Sequence, residues 1–198
     1  MAEPLTTLTD YAIALECLVF AGLLLGRAAW LWAAVFISVS GAAALGGTYH
    51  GFAEFLSWPH RLWLWQGIGL GLSLTSFLAV VAAASPLGRG LRLGLLSLAA
   101  AKLALVTLLS TSLWAFALRV ADYLSALAIV LLVQLGQRLS HRHPKAQPGW
   151  LAAGIAISGL AACVLLLPPE AFIISPLAGY HLVQMVALYC IYRSVKGS

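Results

Sequence analysis

The chain has 198 residues, of which 62% are hydrophobic and only 9% charged, with a mean hydropathy of +0.98. Globular domains carry about 25% charged residues, so these proportions exclude a soluble domain and indicate a membrane protein. The 11 Lys and Arg against 6 Asp and Glu form no basic stripe with interleaved aromatics, which argues against nucleic acid as a partner and leaves membrane lipids as the surroundings.

About 20 apolar residues are needed to cross the hydrocarbon core. Seven runs meet or approach that length: 8–26, 28–56, 60–85, 90–111, 113–138, 149–168 and 171–193. They predict an all-α integral membrane bundle of seven transmembrane helices in a single domain, 1–198. The breaks fall at Gly26-Arg27, Ser57-Trp58-Pro59, Ser85-Pro86-Leu87-Gly88, Ser110-Thr111-Ser112, the polar stretch Ser140 to Pro148, and Pro168-Pro169. These are turn residues in short connections, as antiparallel neighbours require. The first ten residues lack the basic region of a cleaved signal, so the first run is expected to stay as a membrane helix.

Eight of the 11 basic residues (Arg27, Arg89, Arg92, Arg138, Arg142, Lys145, Arg193 and Lys196) fall at alternate ends of the runs. The other connections hold Arg61 with Glu3, Asp10, Glu54 and Glu170. The positive-inside rule then predicts the amino terminus outside and the carboxyl terminus in the cytoplasm, with a bacterial inner membrane as the expected location. Trp30, Trp32 and Trp150 on one side, and Trp58, Trp63 and Trp114 on the other, match two interfacial belts. Gly22 with Gly26, Gly67-Gly69-Gly71, and Gly90 with Gly94 have the spacing of close helix contacts.

Cys17, Cys163 and Cys190 all lie inside apolar runs with no CxxC pair, so neither a disulfide framework nor a thiolate zinc site is indicated. No Gly-x-Ser-x-Gly elbow occurs, which argues against serine hydrolysis. The chemistry rests instead on polar groups at membrane depth. Glu16 on the first run, His50 after Gly46-Gly47-Thr48-Tyr49 on the second, Gln66 on the third, Arg119 and Asp122 on the fifth, and His181 with Gln184 on the seventh reach one layer of the outer half. Asp10 reads as an outer-edge residue, and Lys102 on the fourth run as a central one. Asp122 is expected to face the bundle interior, paired with Arg119 three residues before it or within reach of Lys102. Membrane histidines are rare and costly, so His50 and His181 are expected to converge on a purpose.

Three chemistries suit them. A metal held by His50, His181 and Glu16, with Asp122 as a further acid, makes a hydrolytic site in which Asp122 and Glu16 act catalytically. Zinc fits such ligands, and a haem held by the two histidines is the second option. A proton relay through Glu16, His50, Asp122 and His181 is the third, and suits a carrier of a small molecule. Packing in a subunit of a larger membrane complex needs none of them.

Seven helices with an outer amino terminus, His50 late in the second and His181 in the seventh resemble the CREST superfamily. That group contains the alkaline ceramidases and adiponectin-receptor-like proteins, membrane hydrolases with a zinc held in the bundle. The resemblance implies metal-dependent hydrolysis of lipid-like amides or esters, with His50 and His181 at two of the family's three histidine positions. The chain departs from the pattern where Gly46 replaces a serine, Gln66 is the nearest residue to an aspartate, and Met185 replaces the third histidine.

Overall fold

Proline starts four of the helices. Pro4, Pro59, Pro148 and Pro176 each occupy the first turn, where the missing N–H leaves no bond unmade and the fixed φ suits a helix. The computed structural model describes residues 3–109, 115–140, 147–165 and 174–197. Among these, seven α-helices form: α1 (Pro4–Leu25), α2 (Trp30–Phe52), α3 (Trp58–Ala84), α4 (Arg89–Leu108), α5 (Ala115–Leu139), α6 (Pro148–Val164) and α7 (Pro176–Val195). A single 3-10 turn, Ala53–Phe55, follows α2 and leads to α3. Ser110-Thr111-Ser112, Pro168-Pro169, Arg142, Lys145 and Glu170 lie outside the described residues.

The helices pack as a ring in the order α1, α2, α3, α5, α6, α7, with α7 returning to α1 and α4 set against α3 and α5 from outside. Only 11% of the apolar window of α4 is inside the protein, against 50% for α3. The core lies towards the end where α1 finishes and α2 begins. There Phe20 stacks on Tyr192 at 4.5 Å and meets Phe36 edge-on at 5.6 Å, above Leu24, Ala33, Leu151 and Val195. Most interior positions on α3 are small: Gly69, Ser73, Thr75, Ser76, Ala79 and Ala82 to Ala84. Large residues point outwards instead, with Leu8, Leu15, Leu132 and Trp63 each about two-thirds exposed or more. An apolar exterior around a small-residue interior inverts a soluble protein and marks a membrane bundle. Five helices are long and apolar enough to cross a membrane, and α6 is a shorter apolar helix.

Polar side chains tie neighbouring helices through backbone carbonyls, as expected where lipid offers no partner. Ser40 donates to the Ala14 carbonyl across α1 and α2 at 2.8 Å, and Ser38 to that of Gly71 across α2 and α3 at 2.8 Å. Of the glycine pairs, only the α3 set makes a close approach. A Cβ on Gly67 would fall 2.9 Å from Leu45 Cδ1, and one on Gly71 would fall 2.9 Å from Ala42 Cβ. Cβ atoms on Gly22, Gly90 and Gly94 would meet open space, so those spacings carry no contact.

Candidate functional site

The first turns of α1 carry Thr6, Thr7, Thr9 and Asp10, all buried. They are buried because two other helices approach them through small residues. On α2, a Cβ on Gly51 would lie 3.0 Å from Thr7, one on Gly46 would lie 3.0 Å from Asp10 Oδ1, and one on Gly47 would lie 3.2 Å from Asp10 Cβ. The Asp10 carboxyl therefore sits against Gly46 and Gly47, where any Cβ would crowd it by a few tenths of an ångström. On α7, Ser175 caps the helix by accepting from the Ala178 N–H at 3.2 Å, and its hydroxyl meets that of Thr6 at 3.2 Å. Asp10 lies about 9 Å along α1 from Pro4 and His181 about 7.5 Å along α7 from Pro176, so the two share one layer.

Two histidine–carboxylate pairs follow. His181 Nε2 stands 3.4 Å from Asp10 Oδ1, with both side chains less than a tenth exposed. His50 Nδ1 stands 3.4 Å from Glu3 Oε2 nearer the surface, where Glu3 is half exposed. The Glu3 N–H also donates to the His50 carbonyl at 3.3 Å. Glu3 and Asp10 are within electrostatic reach of one another, as are His50 and His181.

His181 has polar neighbours at both ring nitrogens. Thr9 Oγ1 lies 3.0 Å from Nδ1 and also within hydrogen-bond reach of the backbone carbonyls of Thr6 at 2.9 Å and Leu5 at 3.1 Å. A threonine hydroxyl both donates and accepts, so Nδ1 can donate to it or accept from it. The opposite nitrogen, Nε2, faces the Asp10 carboxyl. A proton between those two has two arrangements: the acid bound to a neutral ring, or an imidazolium facing a carboxylate. Asp10 Oδ2 is buried with no hydrogen-bond partner among the described residues.

One turn further along α7, Gln184 shares the buried face with His181, as their spacing predicts, and its amide donates to the Tyr123 hydroxyl at 3.4 Å. The other acids turn elsewhere. Glu16 is half-buried with Oε2 unpartnered, and it meets neither histidine. Asp122 Oδ1 stands 3.2 Å from Lys102 Nζ, and the same ammonium donates to the Asp122 carbonyl at 3.1 Å. Of the two partners expected for Asp122, it is Lys102 that meets it, and the Arg119 guanidinium lies 5.9 Å from the centre of the Trp65 ring instead. Asp10, expected at the outer edge, is the buried partner of His181.

The carboxylates that meet the histidines are Glu3 and Asp10, not Glu16 and Asp122. Among the described residues, no three His, Cys, Asp or Glu side chains are grouped so as to hold a metal ion. The donor set that zinc needs is thus not assembled by His50, His181 and Glu16. Each histidine's ring is instead engaged by an acid, and His181's second nitrogen by Thr9.

Fold and site together define an α-helical membrane bundle with two histidine–carboxylate pairs at the junction of α1, α2 and α7. The chain belongs to DUF6962, a family of unknown function, which it matches over residues 5–198. No curated protein matches it.

Proposed function

We propose that the protein is a proton-coupled membrane carrier in which Asp10 and His181 hold the moving proton. The observation behind this reading is the 3.4 Å approach of two buried titratable groups, His181 Nε2 and Asp10 Oδ1, with the Thr9 hydroxyl at the other ring nitrogen. When protonated, the pair has no net charge. Loss of the proton leaves a carboxylate beside a neutral imidazole, a net negative charge in a low-dielectric layer that costs several kcal/mol unless water or a cation reaches it. Protonation thereby biases how tightly α1, α2 and α7 close over the notch at Gly46 and Gly47. Glu3 and His50, nearer the surface, exchange protons with the outside.

This assigns seven membrane spans, an outer amino terminus and a cytoplasmic carboxyl terminus, as the basic connections predict. A reporter fused after Ser198 will read cytoplasmic and one inserted beside Pro169 external; the reverse from both would put Glu3 and His50 on the wrong side.

Proton movement is the direct test. Liposomes loaded with a pH-sensitive dye and given a potassium diffusion potential will acidify faster with the protein than without it. Asp10→Asn will abolish the difference and Glu16→Gln will keep it. Wild-type vesicles no faster than empty ones would remove the carrier reading, and equal loss in both variants would remove Asp10 from its centre.

A further inference from the structure

Arg119 is an ionisable group that the proton site does not use. It is 7% exposed, on α5, at about the same membrane depth as Trp65 on α3. Its guanidinium occupies the space where Gly69 lacks a side chain, since a Cβ there would overlap the guanidinium carbon and two of its three nitrogens, Nη2 and Nε. The Trp65 ring covers it at 5.9 Å, and Tyr49 stands beyond that ring at 5.7 Å. Among the described residues, no carboxylate pairs with it. Asp122, the nearest acid along its own helix, is engaged by Lys102, so that pair contributes no net charge. A guanidinium with five donors and no anion among the described residues, held where Gly69 leaves room, is a costly arrangement that a ligand anion would offset.

We infer that Arg119 is the binding site for a monocarboxylate with an apolar body. One uncompensated positive charge calls for a single negative one, which favours a carboxylate over a phosphate dianion. The planar fork of arginine accepts a carboxylate through two parallel hydrogen bonds. Trp65 and Tyr49 supply aromatic faces for the rest of the molecule. Trp65 is 39% exposed, so a single side chain separates the guanidinium from the surroundings, and the carboxylate enters beside it. This site stands on α3 and α5 and does not depend on the proton reading. It lies along a run of aromatic contacts that continues from Tyr49 to His50 at 5.6 Å.

The test is calorimetric titration of the purified full-length protein with benzoate, acetate and inorganic phosphate. Benzoate will bind saturably and more tightly than acetate, with phosphate weakest. Arg119→Lys keeps the charge but loses the fork, and will weaken benzoate by about tenfold, the size of one charge-assisted hydrogen bond. Gly69→Ala, which displaces the guanidinium without removing it, will weaken benzoate as well. It also serves should the Arg119 variant fail to fold. Asp10→Asn will leave benzoate binding unchanged even if it stops proton movement, which keeps the two proposals separable. No saturable benzoate binding to the wild type, undiminished binding in the folded variants, or a preference for phosphate would each overturn the assignment.

Discussion

Replacing Asp122 with alanine will lower the melting temperature of the detergent-solubilised protein by on the order of 10 °C, corresponding to about 3 kcal/mol in a chain of this size. Removing one partner from a buried ion pair costs about 3–5 kcal/mol because the other charge stays behind. The low end applies here, since Lys102 keeps 20% of its side chain exposed and retains its bond to the Asp122 backbone carbonyl. Asp122→Asn will cost less, because an amide still accepts from the ammonium. Glu54→Gln, at the bend after α2, will change the melting temperature little. Equal shifts for Asp122→Ala and Glu54→Gln would mean that the Lys102–Asp122 pair carries no stability. The double replacement Lys102→Met with Asp122→Ala will recover part of the loss, as removal of both charges leaves none unpaired.

The seven helices were legible because length and turn residues decide them. Each expected run became a helix within a few residues, and the prolines at 59, 148 and 176 mark where three of them begin. The shared face of His181 and Gln184 was legible too, because three residues on one helix return nearly to the same side. What spacing leaves open is rotation about the helix axis. Arg119 and Asp122 are three residues apart and differ by about 60° around α5. Because α5 packs against both α3 and α4, that angle sends one to Trp65 and Gly69 and the other to Lys102. Asp10 and Glu16 are about 120° apart around α1, so only one of them turns into the α2 notch. The signal for Asp10 lay in the paired glycines. Gly46 is a departure from the serine of the superfamily that the chain resembles, and in this structure it is the space into which the Asp10 carboxyl fits. The run Thr6-Thr7-Leu8-Thr9-Asp10 at a helix start was a second sign, since so many hydroxyls at membrane depth must bond something.

Asp10 and His181 will show strong coupling in a double-replacement cycle followed by thermal or denaturant unfolding. His181→Phe alone removes the imidazole and leaves the Asp10 acid buried with neither oxygen bonded to a side chain, which will destabilise by about 2–4 kcal/mol. Asp10→Leu alone leaves His181 Nε2 facing an alkyl group and presses a branched side chain against Gly46 and Gly47. Its cost will be similar, part of it steric. Together the two replacements put apolar groups on both sides of the contact. The double variant will therefore lose less than the sum of the singles, by about 1–3 kcal/mol. Losses that simply add would show that the 3.4 Å contact contributes nothing to folding, and the shared proton would lose its structural basis. Thr9→Val provides a separate check on the tautomer. It removes the hydroxyl at His181 Nδ1 and keeps the branched shape of the side chain. Its effect on stability will be about 1 kcal/mol. Its effect on proton movement will be smaller than that of Asp10→Asn, because Thr9 orients the ring and Asp10 shares the proton. A Thr9→Val variant that stops proton movement while keeping its stability would mean that the moving proton is on Nδ1 and passes through the hydroxyl.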